Sequence, residues 1–478
     1  MVEGEKVNWR RIFFILLGIV LFLAVYFSPP LPDAIDPSGN RFTLSKEGKG
    51  AIALFLLAGV WWVAEVIPIG VTSIAIGVLQ VLFFIRPAKE AFRDFMDPAV
   101  MFIFGSVVMG AAFTKTGLTR RIAYKMLEFV GERTSLILLG CIVITAGLSH
   151  IMAHTAAAAT VFPILLAVHA LYADGDRRTQ FGKAVFIGMA YSAGAGSVVT
   201  FLGAARTPAA VSMFKEFTGR DIGFFELTKF MLPIGWLMVL IIWLYFILFL
   251  KPEKDRIPGL RERIRVMSRE MGPMTYQEKL VLLTVFGVIT MMALQSVLPQ
   301  LKPIDRSAIM LIGTLVFFLT GILTLKELEE IPWNIILLFS GAMSLGFCLW
   351  KTGAAQWMAV HWLSLFKDAH WLVFLLGVAF LILVLTNFIM NVAAIAISLP
   401  ITLVIASYLG VKPELVLYTA LATSGMPFIL LIGAAPNAIA YGSNQFTPAD
   451  FFKHGIVMSV VLLVVLTFTI VFVWSMLL

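Results

Sequence analysis

Long apolar runs recur along this chain at about residues 11–28, 50–67, 69–85, 98–116, 228–250, 279–298, 307–324, 333–350 and 454–478. Each is close to the roughly 20 residues that an α-helix needs to cross about 30 Å of hydrocarbon. Inside a bilayer every backbone polar group must find its partner within the protein, so only helices and closed barrels span it. Barrel strands are short and alternate apolar with polar residues, which these runs do not. The fold class predicted is therefore an all-α polytopic membrane protein, with about 11 transmembrane helices. With 60% hydrophobic and 13% charged residues, the 478-residue chain lies far from soluble usage. The first run follows Lys6, Arg10 and Arg11 but lacks a small-x-small cleavage site, and reads as a retained helix.

Charge then orients the helices. Basic residues gather in the N-terminal segment, in Thr119 to Lys125, in Asp174 to Lys183 and from Lys251 to Lys279. The positive-inside rule places these in the cytoplasm, with the loops near 29–49, 86–97, 215–226 and 299–305 outside. The N-terminus is expected inside and the C-terminus outside, in a plasma (inner) membrane. The net charge of +8 is topological and calls for no nucleic-acid partner; lipid is the expected surroundings. Cys141 and Cys348 lie in apolar tracts and read as packing residues.

Two long stretches of the chain align with each other. Lys115-Thr116-Gly117 matches Lys351-Thr352-Gly353, Pro163 matches Pro400, and "LGAART" from Leu202 matches "IGAAPN" from Ile432. An odd number of spans separates equivalent points, so the copies are expected to be inverted, the ground plan of many secondary transporters. The expected organisation is an N-terminal helix and outer loop (1–49), a first repeat (50–250), a cytoplasmic linker (251–278) and a second repeat (279–478).

In each copy a tract of some 35 residues, 134–171 and 371–408, carries a polar cluster at its middle: Ser149 to Thr155 and Thr386 to Asn391. Such tracts read as re-entrant hairpins with their tips at mid-depth. Beyond them, 184–215 and 415–441 place Gly and Pro within apolar helices. Broken helices are tolerated at depth only where protein or a watery cavity covers the freed backbone, so they mark a binding site. Half-helix N-termini face anions there and freed carbonyls face cations.

The sequence resembles the divalent-anion/sodium symporter family. "WWVAEVIPIGVTS" (Trp61 to Ser73) is similar to its Trp-Trp-x-x-Glu-x-x-Pro signature, and "DPAVMFIFGSVVMGAAFTKTGLTRRIA" to the helix and basic segment that follow. The resemblance implies a homodimeric elevator transporter of small anions, di- or tricarboxylates before sulfate, with sodium as the coupling ion and no enzymatic cofactor. It implies a substrate site at His154, Thr155, Ala204, Arg206, Thr207, Asn391, Ala434, Pro436 and Asn437. A first sodium site would use Ser149, His154 and Gly203, and a second Thr386, Ile389, Asn391 and Gly433.

The family's Ser-Asn-Thr hairpin tips are altered here, to Ala153-His154-Thr155 and Met390-Asn391-Val392. Arg206 is the most informative departure, because a guanidinium inside a membrane helix is costly unless an anion, water or other partner receives it. It either binds substrate, replaces a sodium ion, or serves a structural role, as an ion pair or by snorkelling to the interface. His154 either meets the substrate or a proton, or is a neutral packing residue. Thr155, Thr207, Asn391 and Asn437 have helix capping or helix–helix hydrogen bonding as their structural alternative. A cation-independent or proton-linked exchanger, with Arg206 in place of sodium, is therefore an alternative function. A membrane metal enzyme using His150 and His154, four residues apart and so on one helical face, is a remote one, since no further ligand follows in sequence.

Overall fold

A computed structural model describes residues 9–35, 41–173, 178–295, 298–363 and 370–477. Apart from a two-stranded antiparallel ribbon pairing Ala34 with Phe42 and Ile35 with Arg41, its regular structure is helical. Among the described residues ten helices are long and apolar enough to span a membrane, and three shorter apolar ones (Ile69–Leu82, Thr134–Leu148, Arg306–Leu319) accompany them. Several of the ten belong to the tracts read as hairpins, including His154–Tyr172, Trp371–Phe388 and Asn391–Tyr408.

The degree of burial separates the helices. Trp9–Phe27 is 17% buried across its apolar window, whereas Asn391–Tyr408 is 83% buried. A helix that is apolar all round and buried belongs to the protein's interior, and one that is apolar but exposed faces lipid. Trp9–Phe27 packs on Lys46–Ala64, and Ile69–Leu82 on Trp333–Lys351, the latter 72% buried. Centrally, Thr134–Leu148 packs on Gln180–Ser197, and Asn391–Tyr408 on Pro413–Ser424.

The two aligned stretches fold in the same element order. Pro98–Thr116 and Trp333–Lys351 are each followed by a helix (Leu118–Val130, Ala354–Leu363) entered through a glycine of positive φ, Gly117 and Gly353. Next come two helices joined by a short bend: Thr134–Leu148 with His154–Tyr172, and Trp371–Phe388 with Asn391–Tyr408. The matched prolines, Pro163 and Pro400, sit inside the second member of each pair.

The breaks are sharper than the sequence suggested. In the tract 184–215, helix Gln180–Ser197 stops and the next helix starts at Arg206, leaving 198–205 outside both. In the tract 415–441, Pro413–Ser424 is followed by a non-helical stretch, a single turn at Leu431–Gly433 and the short helix Ala435–Tyr441. Missing side chains let these breaks close on each other: a Cβ on Gly194 would lie 2.8 Å from the Gly425 carbonyl oxygen, and one on Gly203 would lie 2.5 Å from the carbonyls of Ser149 and Ser197.

The linker is not featureless. Residues Leu260–Glu270 form a helix packed on Leu118–Val130, and the next span starts at Tyr276, inside the segment assigned to the linker. Arg121 locks the junction: its guanidinium donates to Glu278 at 2.7 Å and to the Gly272 carbonyl at 2.8 Å.

Candidate functional site

The two bends and the two breaks meet. His154, Arg206, Asn391 and Ala435 are each the first residue of a helix, and none of the four helices has a side-chain cap on its first turn. All four residues line one cavity of about 710 Å³. The positive end of a helix dipole favours negative charge, and here backbone carbonyls take part of the first-turn N–H groups: His154 donates to Gly203, Thr207 to Ala204 and Asn437 to Ala434. The cavity also takes in Thr155, Ala204, Gly433 and Ala434 from the residues expected in the site. Ser149, Gly203, Thr207, Thr386, Ile389, Pro436 and Asn437 are outside its lining.

Arg206 is 1% exposed. Its Nη2 donates to Ser197 Oγ at 2.7 Å, while Nε and Nη1 have no partner among the described residues. No carboxylate among the described residues receives this charge, so the structural ion pair left open by the sequence is not formed there. The guanidinium instead lies against the second break, where a Cβ on Gly425 would come within 2.5 Å of Nη2. A buried cation without a counter-ion is a strong physical reason to bind an anion, and its fork suits a carboxylate.

His150 and His154 do not share a helical face, which corrects the geometry expected from their spacing. The bend between Leu148 and His154 separates them. His150 Nδ1 lies 2.9 Å from the Gly196 carbonyl, with its ring edge-on to Trp236, and His154 Nδ1 lies 3.3 Å from the Gly203 carbonyl. A carbonyl only accepts, so in both rings Nδ1 carries the proton. The two histidines pin the first bend to the first break at separate places, and no cluster of three or more metal-ligating side chains occurs among the described residues.

The two expected sodium sites differ in chemistry. At the first, the Gly203 carbonyl accepts the His154 backbone N–H at 2.9 Å and its ring at 3.3 Å, and Ser149 Oγ donates to Thr145 at 2.8 Å. The Gly203 carbonyl thus already accepts from two His154 donors, whereas the Ser149 hydroxyl, a donor here, keeps its lone pairs. At the second, Thr386 Oγ1 lies 3.0 Å from Asn391 Oδ1 and 3.1 Å from the Ser424 carbonyl, an oxygen-only set suited to a hard cation. Ile389 is buried and extended, and Gly433 packs so closely that a Cβ would sit 3.2 Å from the Thr386 carbonyl.

Other expected residues hold the breaks together. Asn437 donates to the carbonyls of Pro427 (2.9 Å) and Leu430 (3.1 Å), satisfying backbone freed by the second break. Asn387, not anticipated, accepts the backbone N–H groups of Ile429 and Leu430 at 2.9 and 3.0 Å. Its place in the polar cluster from Thr386 to Asn391 was the available signal. Thr207 is fully buried with its hydroxyl unpartnered.

The sequence also did not announce the cavity's charged rim: Glu65, Lys115, Glu327 and Glu330. Glu65 ends helix Lys46–Ala64 in the left-handed region (φ 45°), strain that an L-residue rarely adopts. Lys115 forms an ion pair with Glu327, whose carboxyl is held down at about 2, chiefly by that lysine and by Thr324. Glu330 likewise has a lysine beside it, Lys326, at 3.8 Å. Lys115 belonged to a repeated Lys-Thr-Gly, a signal of shared structure but not of its partner.

Comparison with known proteins agrees with this architecture. Residues 8–478 match the family model described as the sodium:sulfate symporter transmembrane region. The sodium-dependent dicarboxylate transporter SdcS of Staphylococcus saprophyticus is 24% identical over 494 residues, covering 98% of this chain and 92% of that protein. SdcS of Staphylococcus aureus strain NCTC 8325 is 25% identical over 459 residues, covering 91% and 85%. Among solved structures, the Alcanivorax borkumensis YdaH transporter aligns with a TM-score of 0.58 at 12% identity, covering 96% of each chain. Neisseria gonorrhoeae MtrF aligns with a TM-score of 0.59 at 14% identity, covering 98% and 95%; at such identities the likeness is one of fold. With its membrane helices and a family match over nearly its whole length, the chain belongs to the sodium:sulfate symporter family and is a secondary transporter of anions, not an enzyme.

Proposed function

We propose that this protein carries small carboxylate anions across the plasma (inner) membrane by sodium-coupled secondary transport. The observation that carries the reading is the buried guanidinium of Arg206, without a carboxylate partner among the described residues, beside a cavity lined by the starts of four helices that lack side-chain caps. A carboxylate would bind between Arg206, His154 and Thr155, with sodium held by the oxygens of Thr386, Asn391 and Ser424. The relatives named for sodium-dependent dicarboxylate transport support carboxylate as the class and sodium as the ion.

The repeated element order supports a duplication, and an odd number of spans between equivalent points would invert the copies. In this reading each bend is the tip of a re-entrant hairpin, and the buried central helices move as an elevator against the peripheral ones. The active form is a homodimer with its N-terminus in the cytoplasm and its C-terminus outside.

A second reading rests on the first ion site, where His154 engages the Gly203 carbonyl and Arg206 supplies a fixed positive charge nearby. A protein cation standing where a sodium ion would stand leaves fewer coupling ions, and in the limit an exchanger. Uptake of labelled succinate, citrate and sulfate into proteoliposomes, with sodium or choline outside, tests both. Sodium-driven accumulation of a carboxylate supports the first reading; sodium-independent counterflow supports the second, and failure to move any carboxylate refutes both.

A further inference from the structure

Away from the transport cavity, another cleft of about 510 Å³ lies between helix Leu118–Val130 and the linker helix Leu260–Glu270. Residues three and four apart share a helical face. Arg121, Lys125 and Glu128 line one wall in this way, and Arg265 and Arg269 the other. Arg121 is held by Glu278 at 2.7 Å, and Arg265 lies 3.1 Å from Glu128 and 3.6 Å from Glu262. Lys125 and Arg269 are exposed, and neither forms an ion pair or a side-chain hydrogen bond among the described residues. Two unpaired cations from distant parts of the chain therefore converge on one cleft. Orientation by positive charge asks only that basic residues lie on one side of the bilayer. It does not bring them together across a cleft.

The cleft also borders lipid. Its lining continues through Gly272, Pro273 and Met274, and the span Tyr276–Gln295 starts two residues on. That span is 28% buried across its apolar window; Leu282, Leu283 and Phe286 are exposed, and Tyr276 at its start is 76% exposed. An apolar helix face this open is covered by acyl chains in a membrane. We infer that the cleft binds the phosphate of an anionic membrane lipid, whose headgroup meets Lys125 and Arg269 and whose chains follow the exposed face of Tyr276–Gln295. Ammonium and guanidinium groups hold phosphate oxygens through charge-assisted hydrogen bonds, and basic clefts beside membrane helices suit such headgroups. Free phosphate would meet the same cations but gain nothing from the apolar face. Bridging the two helices, the lipid reinforces the lock that Arg121 makes with Glu278 at the same junction.

The test is equilibrium binding of tritiated phosphatidylglycerol, and separately of tritiated phosphatidylcholine, to the full-length protein in a neutral detergent. It reads the site independently of transport and of orientation in the membrane. Phosphatidylglycerol should bind about tenfold or more tightly than phosphatidylcholine, each basic residue near an anionic headgroup being worth on the order of fivefold. The double variant Lys125→Gln with Arg269→Gln should lose about the same factor. Arg261→Gln with Arg263→Gln removes two exposed cations of the same linker helix that lie outside the cleft lining, and should change binding by less than about twofold. Equal affinity for the two lipids overturns the inference. Equal losses from the two double variants also overturn it, since general surface charge would then explain the binding. Displacement of phosphatidylglycerol by millimolar inorganic phosphate overturns the lipid as the ligand. Lys125 and Arg269 are exposed, so their replacement leaves packing intact, and the native comparison of the two lipids decides whatever the variants do.

Discussion

Replacing Arg206 with methionine should make the substrate-free protein more stable and nearly abolish transport. In the native structure the guanidinium is 1% exposed and makes a single hydrogen bond, to Ser197 Oγ at 2.7 Å, with Nε and Nη1 unpartnered. The lost hydrogen bond to a charged donor costs about 1.5–3 kcal/mol, against a relief of about 1–3 kcal/mol for each unsatisfied group and more where it is charged. Ser197 is not orphaned, because its hydroxyl also donates to the Gly194 carbonyl at 2.7 Å. The net expectation is stabilisation by about 1–4 kcal/mol, the range seen when buried charges are replaced by apolar residues of similar volume. Transport moves the other way: two charge-assisted hydrogen bonds to a carboxylate are worth at least about 3 kcal/mol together, or on the order of 100-fold. Unfolding of the purified protein by denaturant, without substrate, and uptake in proteoliposomes measure the two effects separately. A variant that unfolds at least as readily as the native protein, yet transports within about twofold of it, would show that Arg206 serves only to close the first break.

Thr386→Ala should raise the sodium concentration for half-maximal transport by about tenfold, the loss of one oxygen ligand and its hydrogen bonds, whereas Ser149→Ala should leave it within about twofold; equal shifts would place sodium at both sites. His154→Asn removes the ring contact to the Gly203 carbonyl and should alter the sodium dependence or substrate preference of uptake; an unchanged profile in both demotes this residue to packing. Gly203→Ala places a Cβ 2.5 Å from two carbonyl oxygens and should destabilise the protein by about 1–3 kcal/mol or more, read from the same unfolding transition. For Glu327, held down at about 2 by Lys115 and Thr324, the sign is that of a depressed acid: its contribution is fully present above the ordinary carboxylate range and is lost as pH falls through about 2. Glu327→Gln should therefore leave the shape of the transport profile unchanged between pH 5 and 8, and a changed inflection there would refute that assignment.

Much of this protein was legible from its chain alone. Apolar length dictated helices that cross a membrane, because a bilayer admits little else. The alignment of Lys115-Thr116-Gly117 with Lys351-Thr352-Gly353, and of the two Gly-Ala-Ala stretches, disclosed a duplication. Polar clusters at the middle of the 134–171 and 371–408 tracts, and the glycines beyond them, located the bends and breaks to within a few residues. These features are local, carried by residue types whose cost in a membrane is high enough to require a reason.

What the tertiary structure decided is which groups meet. Sequence spacing put His150 and His154 on one face, but a bend intervenes, and each ring reaches a different carbonyl of a segment some 46 to 49 residues away. Arg206 could equally have found a carboxylate; folding left it with Ser197 alone. Lys115 and Glu327, more than two hundred residues apart, became the rim of the cavity, and Asn437 became a clasp for backbone instead of part of its wall. Periodicity and composition fix how each segment meets the bilayer. Pairings between distant segments depend on how two broken helices and two bends pack together, and one sequence holds no distance between them.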